Sequence, residues 1–322
     1  MRISFDSRAA SDPRGVGRYV RCLLEALRAT QHEADEITET HRPPRNTIYH
    51  APWVPGAIVH PTCPQVVTLH DLSPLKRRST YLRYGRNHHL RYMAAARAER
   101  VIVPTAVVSE DAQDVLRIEP ERISVVPEAP APAMTPRGAD EVAAVREAHG
   151  LPGEYLLWVG GLEHPDPRKR VAELAAAPRD MPLVLVGQAK RWAHELPNVT
   201  LTGLVSDDEL AALYTGAHAL VLASDDEGFG LPPVEALACG TPVVSCDVPA
   251  VREVLGDKAT FVECDDFAGL LQAAEAASRP APAAPTWTWE DAAEATWDVY
   301  REAVTVERPT ASPAALRTPR IA

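Results

Sequence analysis

The residues best suited to chemistry lie in one run, Ser224-Asp225-Asp226-Glu227-Gly228-Phe229-Gly230-Leu231-Pro232-Pro233-Val234-Glu235. It follows an apolar stretch that reads as a strand, Ala219–Ala223, and opens what reads as a helix. Gly228 and Gly230 let the backbone come close to a ligand. The first turn of the helix adds unpaired N–H groups and the positive end of its dipole, a combination that binds phosphate. Two carboxylates bracket the loop, Glu227 before the helix and Glu235 in its first turns. A carboxylate accepts several hydrogen bonds, so one could hold the hydroxyls of a sugar and the other those of a ribose. Alternatively, Glu235 only complements the helix dipole and Glu227 is a solvated loop residue. The two glycines and the Pro-Pro pair between them favour a ligand.

A pyrophosphate also needs positive charge. Arg168-Lys169-Arg170 follows the strand-like Tyr155–Val159 and begins a predicted helix, Lys169–Ala177. Arg168 and Lys169 are therefore candidates to clamp a diphosphate and stabilise charge on a leaving group. A basic first turn opposes the helix dipole, which favours a functional purpose over a purely structural one. In the first half, Gly15-Val16-Gly17 opens a predicted helix, where a tight turn alone would also account for it. His70-Asp71 ends a strand at the edge where a cleft would lie; a histidine satisfied within its loop is the alternative.

Positioning these residues requires two sets of alternating strands and helices. Strands are predicted at Arg2–Asp6, Thr47–His50, Gln65–Leu69, Arg100–Pro104 and Arg122–Val126, then at Tyr155–Val159, Leu183–Val186, Val199–Thr202, Ala219–Ala223, Pro242–Cys246 and Thr260–Glu263. Helical spacing marks Gly17–Thr30, Leu82–Ala98 and Val107–Ile118, then Lys169–Ala177, Asp207–Gly216, Pro232–Cys239, Ala250–Leu255 and Asp266–Ala277. Strands that are apolar throughout suit parallel sheets covered on both faces, so the pattern predicts two α/β, doubly wound domains. The boundary falls in Glu128–Glu154, which is rich in Pro and Ala at its start and contains one short helix. Ser206 and Glu209 form a capping box, and Gly240 fits the position just past a helix end. A last helix begins near Trp289. The tail after Val306 has no periodicity and is expected to be disordered.

The chain has 322 residues, 46% of them apolar and 24% charged, which suits a globular protein of two ordinary domains. The net charge of −11 argues against nucleic acid as the main partner, since a phosphate backbone demands a cationic face. Five scattered cysteines without a CxxC pair point to reduced thiols. Met1–Ser11 lacks the apolar centre of a signal peptide and no apolar run approaches the roughly 20 residues of a membrane span, so a cytoplasmic location is expected.

These motifs, in order, resemble glycosyltransferase family 4, the large retaining GT-B group. Gly15-Val16-Gly17-Arg18-Tyr19 resembles its GxGRY turn, and Val67-Thr68-Leu69-His70-Asp71 its VTxHD strand end. Val125-Val126-Pro127-Glu128 resembles its VxPxG segment, with Ala129 in place of the glycine, and Pro167-Arg168-Lys169 its PRK motif. Glu227–Ala236 followed by Ala238–Val244 resembles its long EGFGLPxxEAxAxGxPVV signature. Three departures are the segment between Gly161 and Arg168, longer than in many members, Arg170, where Asn or Gly is common, and Leu162, where some members carry Arg.

The resemblance implies two Rossmann-like domains facing across a cleft. Residues 1–148 would form the acceptor side, with a helix at 289–306 crossing back to it; 149–288 would bind the donor, leaving 307–322 as tail. Glu227 would contact the donor sugar, the amides of Gly228, Phe229, Gly230 and Leu231 would meet the sugar and β-phosphate, and Glu235 would hold the ribose. Arg168 and Lys169 would bind the diphosphate, Gly15 would let the first domain close over it, and His70 would touch the sugar near the reacting carbon. The base would lie near Gly203 and Leu204. No metal or other cofactor is implied, and Asp225-Asp226 is not read as a metal motif. The implied reaction moves a hexose from a nucleotide-diphosphate sugar, GDP-mannose or UDP-glucose first by family frequency, to a hydroxyl on a small molecule, glycan or glycolipid. The arginine-rich Lys76–Arg100 is either a solvated basic helix or a contact for an anionic acceptor or the inner membrane face. Rival functions are another GT-B enzyme, such as an epimerase or phosphorylase, and a non-catalytic nucleotide-sugar-binding partner protein.

Overall fold

Strands form where the chain is continuously apolar, and in the computed structural model, which describes residues 1–77 and 89–305, they build two six-stranded parallel sheets. The first contains β1 (Arg2–Phe5), β2 (Glu36–Glu39), β3 (Ile48–Ala51), β4 (Gln65–Thr68), β5 (Arg100–Val103) and β6 (Ile123–Val125), in the order β2-β1-β3-β4-β5-β6. The second contains β7 (Leu156–Val159), β8 (Leu183–Val186), β9 (Val199–Gly203), β10 (Ala219–Leu222), β11 (Val243–Cys246) and β12 (Thr260–Val262), in the order β12-β11-β10-β7-β8-β9. In the second, the strand order reverses between β7 and β10. Doubly wound sheets bind ligands at that reversal, outside the carboxyl ends of the strands.

Besides short helical segments at Ser73–Lys76 and 89–95, the helices among the described residues are α1 (Gly15–Ala29), α2 (Ala106–Leu116), α3 (Ala139–Ala148), α4 (Val171–Ala176), α5 (Asp207–Gly216), α6 (Leu231–Ala238), α7 (Pro249–Leu255), α8 (Phe267–Glu275) and α9 (Trp289–Thr305). Helix α1 buries Tyr19, Val20, Leu23, Leu24 and Leu27, the spacing of one helix face. Burying each large apolar side chain of that stripe is worth about 1.5–3 kcal/mol. Helix α9 packs on α1 and on β3, β4 and β5. The Tyr300 hydroxyl lies 2.6 Å from His50 Nδ1, and Trp297 Nε1 donates to Thr30 Oγ1 at 3.2 Å.

The strands expected in the second half are all present, and β4, β8, β10 and β11 are buried at every residue, as covered parallel strands should be. Strand β2 was not foreseen. It is an edge strand of sequence Glu-Ile-Thr-Glu, with no apolar run to betray it. The Ser206–Glu209 capping box forms on α5, with the Glu209 carboxylate accepting from the Ser206 amide at 2.8 Å. Gly240 donates its amide to Leu237 just past α6. Helix α4 starts two residues later than expected: Arg168 and Lys169 lie in the turn before it, so the argument from a basic first turn does not apply. Of the predicted helix Leu82–Ala98, only 89–95 is described as helical; 78–88 and the tail 306–322 lie outside the described residues.

Candidate active site

Residues from the carboxyl ends of the two sheets meet. Lys169 follows β7 and Glu227 follows β10, so the two side chains span the reversal of strand order, with Nζ donating to Oε1 at 2.9 Å. Burial would raise the Glu227 carboxyl's pKa, but the charges of Lys169 and Arg168 outweigh it and hold the group below the usual carboxylate range. Glu227 is therefore an anion at neutral pH. Arg168 donates to Asp71 of the opposite half at 3.1 Å and to Asp166 at 3.3 Å.

Gly228 explains why the loop needs glycine. A Cβ built there would sit 1.7 Å from the His70 carbonyl oxygen, inside any permitted contact. The Gly228 carbonyl in turn accepts from Thr105 Oγ1 at 3.0 Å. In the first half the tight approach is at Gly17, whose Cβ would lie 1.9 Å from the Asp12 carbonyl oxygen. Gly15 instead faces the Leu231 side chain across the cleft at ordinary contact distance. Phe229 and Leu231 are buried, Gly230 is the residue before α6, and Gly203 ends β9. Leu204, next in the chain, is 58% exposed, an apolar surface at the sheet edge where a base was expected.

His70 has both ring nitrogens occupied by protein. Nε2 lies 2.9 Å from the Pro52 carbonyl, which can only accept, and Nδ1 lies 2.9 Å from Glu128 Oε1. Burial opposes charge on this ring, but Glu128 and the Pro52 carbonyl outweigh it and raise the pKa above the ordinary histidine value. The arrangement suits an imidazolium donating in both directions, fixed near Gly228, with 17% of the side chain exposed.

Sequence reasoning missed four contributors. Glu128 lies in a recognised motif, but nothing in its spacing shows that it meets His70. Thr105 and Asp71 reach the second half through contacts that only the fold creates. Arg18, inside the GxGRY turn, donates to Glu235 Oε1 and to Asp207 Oδ1, both at 2.5 Å. Glu235 also accepts from the Tyr214 hydroxyl at 3.2 Å.

On the β11 side of Glu227 lies a cavity of about 480 Å³ between the halves, lined among the described residues by Lys76, Arg77, Asp225, Asp226, Glu227 and the start of α7. Its charges are paired across the cleft: Lys76 with Asp226, and Arg77 with Asp225. Lys76 also pairs with Asp111, Arg100 pairs with Glu302, and Arg91 donates to the Ala57 carbonyl. The described cations of the Lys76–Arg100 stretch are thus largely engaged within the chain, while Arg78, Leu82, Arg83, Tyr84 and Arg86 lie outside the described residues. All five cysteines are free thiols. Among the described residues no helix is long and apolar enough to cross a membrane.

Residues 153–279 match the family described as Glycosyl transferases group 1, and residues 46–129 match Glycosyltransferase Family 4. The O-antigen chain mannosyltransferase RfbU of Salmonella typhimurium is 28% identical over 213 residues, 63% of this chain and 57% of that protein. The chain thus spans little over half of that relative's length. The O-antigen chain mannosyltransferase B of Escherichia coli is 26% identical over 297 residues, 80% of this chain and 74% of that protein. Among solved structures, a sucrose-phosphate synthase (tll1590) from Thermosynechococcus elongatus superimposes with a TM-score of 0.67 at 20% identity, covering 94% of this chain and 96% of its own.

Proposed function

From a chain that resembles glycosyltransferase family 4 in both halves and has its GT-B fold, we propose a retaining hexosyltransferase that uses a nucleotide-diphosphate sugar. The observation that carries the proposal is the Lys169–Glu227 pair across the β7/β10 reversal, beside Arg168 and the amino end of α6. Lys169 has three donors and Glu227 about four acceptor positions, so each can serve a ligand while still paired. Lys169, Arg168 and the amides of Gly228–Leu231 take the diphosphate and meet its charge as it leaves, with no metal ion required. Glu227 accepts from the sugar hydroxyls, Glu235 from the ribose, and Gly203-Leu204 borders the base. The His70 imidazolium supplies fixed positive charge near the sugar and touches it with the exposed part of its ring. Gly15 lines the closing wall.

The nucleotide end of the donor points toward β8 and β9, so the sugar end faces the cavity on the β11 side. An acceptor hydroxyl enters there, in a space of about 480 Å³ whose paired acids and bases suit a hydroxyl-rich glycan or glycolipid head. Relatives named as mannosyltransferases favour GDP-mannose as the first donor to try, with UDP-glucose second.

A panel of nucleotide sugars tests this by thermal shift and turnover in EDTA. A true donor raises the melting temperature by mass action, and the protein consumes it slowly by hydrolysis or with added acceptor. Glu227→Gln lowers kcat/KM about 10- to 100-fold, the worth of hydrogen bonds to a charged group. Free epimer or phosphate-dependent product formed without acceptor would replace the proposal with an epimerase or phosphorylase. Tight binding with no turnover would replace it with a binding partner.

A further inference from the structure

Arg18 belongs to α1 of the first half, yet the residue is 8% exposed and its guanidinium lies between Asp207 and Glu235 of the second half. Glu235 is 2% exposed and takes one bond from Arg18 and one from Tyr214. We infer that Arg18 is a positioning residue for the donor: reaching across the cleft, it fixes the charge and orientation of Glu235 so that this carboxylate can accept from ribose hydroxyls. The inference rests on the proposed ribose role of Glu235.

The argument is one of valence and charge. A carboxylate offers about four acceptor positions; Arg18 and Tyr214 use two, which leaves two for the paired hydroxyls of a ribose. A carboxyl buried this deeply favours its neutral form unless a cation faces it. Burial pushes the Glu235 carboxyl up and Asp207 pushes the same way; Arg18 and the Tyr214 hydroxyl oppose them and limit a shift that remains upward. The titratable or charged groups around it are Arg18 and Cys22 on α1, Asp207 and Tyr214 on α5, and Cys239 just beyond its own helix. Arg18 is the cation of that set. Without it, only the Tyr214 hydroxyl opposes burial and Asp207, so the carboxyl shifts further toward its protonated form, a donor where the ribose needs an acceptor. Asp207 holds the second arm of the guanidinium and so keeps its plane aimed at Glu235.

Calorimetric titration with GDP and UDP, each beside its 2′,3′-dideoxy form, tests this at pH 6.5 and pH 8.5. The native protein should bind the better ribonucleotide on the order of tenfold or more tightly than its dideoxy counterpart at both pH values. Arg18→Ala should cut that ratio at both pH values, and more at pH 6.5 than at pH 8.5, because the protonated carboxyl gains as the pH falls. Arg18→Lys should keep most of the ratio at both pH values. Asp207→Asn frees the second arm of the guanidinium while removing a charge that pushes Glu235 up, so it should lower the ratio through loss of aim alone, to the same extent at both pH values, and it covers the case in which Arg18→Ala fails to fold. A full native ratio in Arg18→Ala, or in Asp207→Asn, overturns the inference. So does tighter ribonucleotide binding in Arg18→Ala, which would make Arg18 a competitor of the ligand. A native protein that binds nucleotide without distinguishing the two forms overturns the ribose role of Glu235 itself, a failure separate from that of Arg18.

Discussion

Single residues in this molecule carry charge states that burial alone would not allow. Glu227 stays ionised because Lys169 and Arg168 face it, and His70 is favoured as a cation because Glu128 and Pro52 leave it nothing to do but donate. His50 is the opposite case. It is fully buried between Tyr300 and Thr68, and burial, reinforced by the neighbouring His70, pushes it down to about 3. In the unfolded chain a histidine titrates near 6.5, so between those values the unfolded state binds a proton that the fold refuses. The stability this site contributes is complete above about pH 6.5 and is lost as the pH falls, by about 2 kcal/mol at pH 5. Melting at pH 7.5 and pH 5.0 checks it: the native protein should lose about 2–4 °C more than His50→Gln. Equal losses in the two proteins would contradict a neutral buried His50.

At the scale of elements, backbone proximity sets the cleft. Gly228 brings the loop after β10 against the backbone of His70, so Gly228→Ala must push the two halves apart or shift the loop. The expected result is a destabilisation of about 1–3 kcal/mol, as for other overpacked sites, with a larger fall in turnover than in nucleotide affinity. A variant with native turnover would show that the contact is incidental. Much of this layer was legible in the sequence, because apolar runs and caps are local: Ser206 and Glu209, Gly240 and the fully buried strands all stand where their residue types require. What was not legible had no local signal. Strand β2 offers only Ile37 as an apolar residue, between Glu36 and Thr38, and pairs in parallel with β1 at the edge of the sheet. Arg170 adopts a left-handed backbone (φ 50°), which explains why Asn or Gly is common there. In this chain its side chain is held by Asp265 at 2.6 Å and stacks on Phe267.

At the scale of the whole molecule, the two sheets present their carboxyl ends to each other and are tied by charges that cross the cleft: Arg18 to Glu235, Arg168 to Asp71, Lys76 to Asp226 and Arg77 to Asp225. Glu253 adds a further tie by accepting from the Ala106 and Val107 amides at the start of α2. The candidate residues after β7 and β10 could be found from sequence because each sits in its own motif. Their partners could not, because Arg18 and Glu235 are 217 positions apart and only the facing of the two sheets unites them. A crystal structure with GDP-mannose or UDP-glucose bound tests the central claim most directly. The account predicts the diphosphate within hydrogen-bond distance of Lys169 Nζ and the amides at the amino end of α6, the sugar on Glu227 and the ribose on Glu235. A nucleotide seated in the β11-side cavity, or one with its diphosphate away from Lys169 and Arg168, would contradict it.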